Sequence, residues 1–573
     1  MLPRRPTAVS VAWIATFVAF GVFATWPLAL HPFSTVQAGA FGGQHLLILE
    51  AARRDGAAEL ATGWSWALGY PTGGAVVLLD WLGLGLHLVL APLAGAAGAF
   101  NLVIALRFAF AGLAAAALAR AHGLGAWGAG AAALLYAWSP YAHSIGFIGE
   151  VPNLWHGLLP AVLLACHAAL RRPHRVGLVL APLLLGAAFV ATPYYGVFFA
   201  LAAGAYTAAL AWYAPERQAA FVRAAIIGAL GAALLVPLHH YFGRLEAIPE
   251  PWHLWLPARG SPPDAARDVD LLASTLRSFV VPGKVTVDHE SIQVSFLGFA
   301  PLVLAAVGGW SARRKAAGWA ALVALGLTLA LGAHLRASIG STEGVLLPFG
   351  LLQALIPALG SVYATYRALP IAMLGLAMLG GLAVDARRAL AGVAVLGLAL
   401  DLAVFSPTPW PMRPEALALP APLAAIAADP VPRGVWAFPH ECYPGVDRGT
   451  YRAMWARLAM LGKPLGNLDR YRDDRTAATL GAAQPPEQAL DAGLCALLYG
   501  HSPSFTPDTG WWSRAGFGWL VVDASFVPPE RLLRIREWLR MSLGEPAEGG
   551  DALVWTLGRG PAAPLAPPAG LGR

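Results

Sequence analysis

Apolar stretches near twenty residues long, separated by short polar segments, run through the first four hundred residues. A helix needs ~20 mostly apolar residues to cross hydrocarbon. That template places spans at about Val9–Leu30, Asn101–Ala121, Trp127–His143, His156–Leu170, Val176–Ala191, Val197–Tyr213 and Phe221–Tyr241. Four more follow at about Val294–Trp310, Gly318–Leu335, the run from SVYATYRALP to DARR, and Leu390–Phe405. The expected fold is an all-α polytopic membrane bundle of about eleven helices over residues 1–406, with outer loops at 31–100, 242–292 and 336–364. Two apolar inserts, Trp81–Pro92 and Leu346–Leu359, are short or interrupted and read as interfacial or re-entrant helices.

From Pro407 the pattern changes to that of a small α/β unit, residues 407–558. Gly434–Pro439, Phe517–Asp523 and Ala552–Leu557 are short apolar runs that predict buried strands. Tyr451–Leu461 and Pro529–Leu543 predict amphipathic helices. The Pro/Gly-rich tail, 559–573, predicts disorder.

Charge sets the orientation. With the amino terminus inside, every second loop carries a basic cluster: RAH, RRPHR, PERQ with Arg223, ARRK and DARR. An odd number of spans then puts the carboxyl-terminal unit outside. The start, MLPRRP, resembles a signal peptide, but the run to Leu30 is long and lacks a small-residue cleavage site, so it reads as a retained helix. Composition agrees: 57% of residues are hydrophobic and 12% charged, about half the charged share of soluble domains. The net charge of +7 is spread over helix ends and is not a nucleic-acid footprint. Cys166 lies in an apolar run, whereas Cys442 and Cys495 fall in the carboxyl-terminal unit, where an outside location would permit a disulfide. No metal-ligand spacing is present, and no cofactor is expected.

The stretch 31–100 mixes Glu50, Arg53, Arg54, Asp55 and Asp80 with Leu and Trp, as expected of a loop folded back onto the membrane face. It carries YP-x-G-G (Tyr70, Pro71, Gly73, Gly74) and APL-x-x-x-x-G (Ala91–Gly98). SPY (Ser139–Tyr141) ends the third span, VSFLGF opens the eighth, TYRALP opens the tenth, and LGKPLG (Leu461–Gly466) lies in the later unit. This order of spans and motifs resembles the GT-C class of membrane glycosyltransferases, which use polyprenyl-phosphate-linked sugars. The resemblance implies an acidic base just after the first span and a second carboxylate in the second outer loop. Glu150 matches the second position, whereas Gly43, Gln44 and His45 stand where the first carboxylate is expected. Asp80, His45 or Glu50 would then have to substitute, or the chain would lack transferase activity.

Transfer of this kind needs a base for the acceptor hydroxyl and a cation for the departing phosphate. Glu150 and Asp80 are the candidate catalytic carboxylates, each weighed against a loop or interfacial role. Arg367, Tyr366, His240 and Arg244 are candidate substrate contacts, with Gln44 and His45 beside them; His239 crowds the same helix exit. Interfacial anchoring is the plainer reading for His240 and Arg244. Arg107 and Asp401, inside spans, should each find a polar partner within the bundle. Asp288 and His289 read as loop residues. The expected function is transfer of a sugar from a polyprenyl-phosphate donor to an extracytoplasmic glycan, lipid or protein acceptor, at the inner (plasma) membrane. The alternatives are a non-catalytic relative that binds lipid-linked glycan or scaffolds envelope assembly, and a transporter. A transporter predicts an inverted repeat, and the sequence shows none.

Overall fold

The computed structural model describes residues 8–37, 42–56, 64–65, 67–68, 74–76, 80–148, 150–171, 175–247, 253–254, 273–282, 295–335, 344–356, 359–360, 362, 364–406, 411, 414–438, 457–466, 493–494, 496–498, 500–501, 503, 516–524 and 527–557. Cys442, Cys495, Asp288, His289, the 559–573 tail and most of Tyr451–Leu461 lie outside these residues.

Helix α1 (Ala8–Ala24) leads to strand β1 (Thr35–Gln37) and helix α2 (Gly42–Asp55). Strands β2 (Trp64–Ser65) and β3 (Gly74–Val76) precede α3 (Trp81–Ala121). The chain continues as α4 (Ala126–Ala137), α5 (Pro140–Ile148), a 3-10 segment (Val151–Gly157), α6 (Leu158–Arg171), α7 (Arg175–Ala191), α8 (Pro193–Trp212) and α9 (Arg217–Ala247). Strand β4 (His253–Leu254) and α10 (Leu276–Val280) occupy the next polar region. After α11 (Phe299–Ser311) and α12 (Arg313–Ala330), strands β5 (His334–Leu335) and β6 (Val345–Leu346) lead to α13 (Pro348–Leu355). A 3-10 turn (Thr365–Ala368) opens α14 (Leu369–Ala386), and α15 (Leu390–Leu400) ends in a π-helical turn (Asp401–Phe405).

Among the described residues, five helices are long and apolar enough to cross a membrane: Trp81–Ala121, Val151–Arg171, Pro193–Trp212, Arg217–Pro237 and Thr365–Ala386. Among the same residues, four shorter apolar helices lie at Ile14–Ala24, Val176–Ala191, Phe299–Ser311 and Leu390–Phe405.

Three segments depart from the sequence reading. The insert Trp81–Pro92 is helical, as expected, but it is continuous with the second span as α3 instead of standing apart from it. At ~1.5 Å per residue, 41 residues would overrun the ~30 Å of hydrocarbon. Gly95, at φ +69°, bends the helix into an arm and a span. Val89 and Leu93 on the arm are 67% and 83% exposed, an apolar face suited to lying at the membrane surface. The third span is two helices, α4 and α5, since Pro140 has no N–H to continue the ladder and Ser139 Oγ accepts from the Ala142 amide. The eleventh span widens at Asp401 because this carboxylate turns aside to accept the Phe299 and Ala300 amides at 3.0 and 2.8 Å, capping α11.

Helix α14 is the axis of the bundle, buried at every position from Leu369 to Val384. Glycines on its neighbours let backbones touch it, as small residues do between membrane helices. A Cβ added at Gly308 of α11 would run into the Leu379 carbonyl, and one at Gly326 of α12 into the Ala372 backbone. One at Gly128 of α4 would meet the Gly381 carbonyl oxygen at 2.7 Å.

Beyond the bundle, β7 (Pro414–Ala416) pairs antiparallel with β1. Helix α16 (Ala421–Ala428) precedes β8 (Gly434–Phe438), β9 (Leu465–Gly466), β10 (Phe517–Asp523), α17 (Pro529–Leu543), β11 (Ala547–Gly549) and β12 (Ala552–Thr556). They form a sheet in the order β11-β12-β10-β8-β9. Strands β8, β9 and β10 are parallel, with β12 and β11 antiparallel. Trp436, Phe438, Leu520, Val522 and Trp555 pack on α17. Val435, Ala437, Val521 and Val554 on the other face pack with Leu423 and Ile426 of α16 and merge with the bundle core. Both faces are therefore dry, which is why these strands are unbroken apolar runs.

Adjacent glycines on α11 test this packing. Gly308→Ala must push α11 off α14 and is expected to destabilise the protein by about 1–3 kcal/mol. Gly309→Ala meets nothing within 4 Å and is expected to be neutral or to stabilise by up to ~1 kcal/mol. Thermal unfolding of the two variants in detergent checks this.

Candidate functional site

The bundle has two chemically different ends. At one, the close of α3 meets α6, α8 and α12: His122 Nε2 lies 2.6 Å from Tyr206 Oη, and its ring lies 4.7 Å from His167 and 4.9 Å from Trp319. Asp385, at the close of α14, accepts the Gly125 amide at 2.8 Å. Arg120, Arg171, Arg313, Arg314, Arg387 and Arg388 belong to this end by their place on these helices.

At the other end, the openings of α3, the Val151–Gly157 segment, α8 and α14 converge on a polar network. Asp80 caps α3, accepting the Gly83 amide at 2.9 Å. The same carboxylate accepts Trp155 Nε1 at 2.9 Å and Arg107 Nη2 at 2.6 Å. Arg107 comes from seven turns further along α3, is wholly buried, also donates to the Val151 carbonyl, and lies 4.7 Å over the Trp155 ring. Its expected intramembrane partner is thus Asp80.

Glu150 is the next centre. Its carboxylate accepts Tyr366 Oη at 2.8 Å, Arg367 Nη2 at 3.0 Å and the Asn153 amide. Arg367 lies 4.4 Å over the Tyr194 ring, a stacked cation that fixes its plane. Tyr195 donates to the Asn153 carbonyl and lies 3.1 Å from Tyr141 Oη. The Val151 carbonyl held by Arg107 belongs to the residue after Glu150, so the two carboxylate centres are one network.

His45, on α2, lies within electrostatic reach of Asp80, Glu150, Arg107 and Arg367. Burial lowers its pKa to about 4, outweighing the two carboxylates that would raise it. The ring is therefore neutral at ordinary pH, with a lone pair to offer. Glu50, one helical turn on, instead faces α3: it lies 2.7 Å from His87 Nε2 and accepts Arg53 at 2.8 Å. Burial would raise its carboxyl, but the hydrogen bonds from His87 and Arg53 prevail and hold it down to about 2.

The structure thus gathers Glu150, Asp80, Arg367, Tyr366 and His45. The side chains of Gln44, His239, His240 and Arg244 lie outside the described residues. Sequence reasoning missed Trp155, Asn153, Tyr194, Tyr195 and His87. The first two sit within VPNLW directly after Glu150, and an amide and an indole so close to an acid were a usable signal. Among the described residues no three His, Cys, Asp or Glu side chains gather as a metal site.

No family model matches the chain, and no curated protein is similar to it. Solved structures do resemble its fold. It is similar to the arabinofuranosyltransferase AftD from Mycobacteria, at 16% identity and TM-score 0.49, over 97% of this chain and 40% of that one. The oligosaccharyltransferase AglB from Archaeoglobus fulgidus, in complex with an inhibitory peptide and a dolichol-phosphate, is similar at 11% identity and TM-score 0.41, over 91% and 70%. ArnT from Cupriavidus metallidurans, bound to undecaprenyl phosphate, is similar at 14% identity and TM-score 0.40, over 98% and 100%. The chain spans about two-fifths of the length of AftD.

Arg107→Met leaves Asp80 buried beside an apolar side chain and is expected to cost about 3–5 kcal/mol. Adding Asp80→Asn removes the stranded charge, so the double variant should unfold at a higher temperature than Arg107→Met alone. Glu50 gives a pH test. A carboxyl depressed in the folded state stabilises fully above the ordinary carboxylate pKa and loses that contribution as pH falls through its folded value. Relative to Glu50→Gln, the wild-type Tm advantage is therefore expected to be full at pH 6 and to shrink between about 4.5 and 2.

Proposed function

We propose that this chain is a membrane glycosyltransferase that moves a sugar from a polyprenyl-phosphate donor to an acceptor at the end of the bundle where the helix openings meet. The observation that carries the reading is the Glu150–Arg367–Tyr366 cluster joined to Asp80–Arg107 and faced by His45. It supplies a carboxylate, fixed cations and a neutral imidazole at one place, the set that glycosyl transfer to a hydroxyl requires.

In this reading Glu150 accepts the acceptor hydroxyl's proton. Arg367, the more accessible of the two arginines, with 16% of its side chain exposed against none for Arg107, neutralises the departing phosphate, with Tyr366 holding both partners in register. The openings of α8 and α14 add the positive ends of their dipoles there. Asp80 is engaged by Arg107, Trp155 and its own helix cap, so its part is to hold the α3 arm and keep Arg107 buried. His45 accepts a hydrogen bond from a sugar hydroxyl. With the basic loops cytoplasmic, eleven crossings of the inner membrane place this site and the 407–558 unit outside.

One observation favours a second reading, a non-catalytic binder of lipid-linked glycan: both carboxylates already accept hydrogen bonds on each oxygen. The two readings part on one experiment. Glu150→Gln keeps shape and hydrogen bonding but removes the base. Purified protein given polyprenyl-phosphate sugars and crude envelope acceptor should transfer sugar, and the variant should be slower by about 10²–10⁴-fold. Transfer by neither protein, with the labelled donor still bound, would favour the binder.

A further inference from the structure

Helix α2 is linked to several parts of the chain. His45 lies within electrostatic reach of Glu150 and Asp80, and Glu50 meets His87 on the α3 arm. Arg54 points to the carboxyl-terminal part of the chain, donating to the Ala459 carbonyl at 2.7 Å and the Lys463 carbonyl at 3.1 Å. The Ala459 carbonyl lies in the helical turn 457–461, whose closing carbonyls otherwise lack partners, and Lys463 follows that turn. Nine positions at ~100° each put Arg54 on the face of α2 opposite His45. The same junction recurs one residue on. Asp55 accepts Ser65 Oγ and the Ala67 amide, and the Ala67 carbonyl accepts the Leu465 amide of β9 at 2.9 Å. Helix α2 is thus clasped between the site and the edge of the carboxyl-terminal sheet.

We propose that Arg54 is a positioning residue that sets His45 in the site, by fastening α2 to the 457–466 segment of the carboxyl-terminal sheet. The sheet is then part of the site without touching it, and residues more than four hundred positions away fix where the imidazole stands. This rests on the transferase reading for its purpose, but the linkage itself can be measured without turnover.

The test is carbethoxylation of the full-length protein in detergent by diethyl pyrocarbonate, which attacks neutral imidazole, read at each histidine by mass spectrometry from pH 5 to 8. The groups facing His45 are Asp80, Glu150, Arg107 and Arg367. In the wild type the ring is already neutral throughout, so the His45 rate is expected to be nearly flat. In Arg54→Ala, α2 loosens and the half-buried His45 becomes fully solvated. It then titrates near ~6.5 and labels about thirty-fold more slowly at pH 5 than at pH 8. His122, at the far end of the bundle beside Tyr206, should keep its wild-type profile. Arg54→Lys, with a single ammonium for the two carbonyls, should fall between. A flat His45 profile in Arg54→Ala would overturn the proposal. If His122 shifts too, the fold has been lost, and Arg54→Gln, which keeps one neutral donor, decides by the same criterion. Failure to transfer sugar would remove the transferase reading and leave this linkage standing.

Discussion

Arg107 sits in the interior of an apolar bundle, and much of the structure answers that charge. An unpaired guanidinium there would be prohibitively costly, so the chain before α3 must return a carboxylate to it. Asp80 does this while capping the helix that Arg107 belongs to, so one side chain both starts α3 and pairs with its interior. A second guanidinium nitrogen, Nη1, donates to the Val151 carbonyl. That contact fixes the turn in which Glu150 stands, and Glu150 in turn organises Tyr366, Arg367 and Asn153. The site is a chain of consequences from one buried cation.

What the sequence could and could not disclose follows from the range of each interaction. The strands at 434–438, 517–523 and 552–556 and the helix at 529–543 were legible because both sheet faces are dry and the helix has one apolar stripe. Local pattern suffices for these. The α3 arm was less legible, since Pro92 and Gly95 look like loop residues, and only packing shows that the helix continues past one and bends at the other. Glu150, Asp80 and Arg367 stood out singly as charges beside apolar runs. Their pairings did not, because Arg107 lies 27 residues from Asp80, and Tyr366 lies 216 from Glu150. Nothing in a local window encodes such distances.

The attachment of the later sheet is of the same long-range kind. Strand β1, just after α1, pairs with β7, and Leu68 bridges to Leu465 at the sheet's edge. Lys463, in the LGKPLG motif, is spent on the Asp429 and Val431 carbonyls and lies over Trp519. Its work is to tie the segment after α16 to the strand beside it.

The edge at β9 carries a practical corollary. Leu68 and the Ala67 carbonyl cover the last strand, and Val435, Ala437, Val521 and Val554 lie against groups continuous with the bundle. A fragment cut at residue 407 for crystallisation or immunisation would present a bare hydrogen-bonding rim and an oily flank together, the recipe for self-association. Recombinant work on this part of the chain therefore needs the loop before α3 as its built-in chaperone.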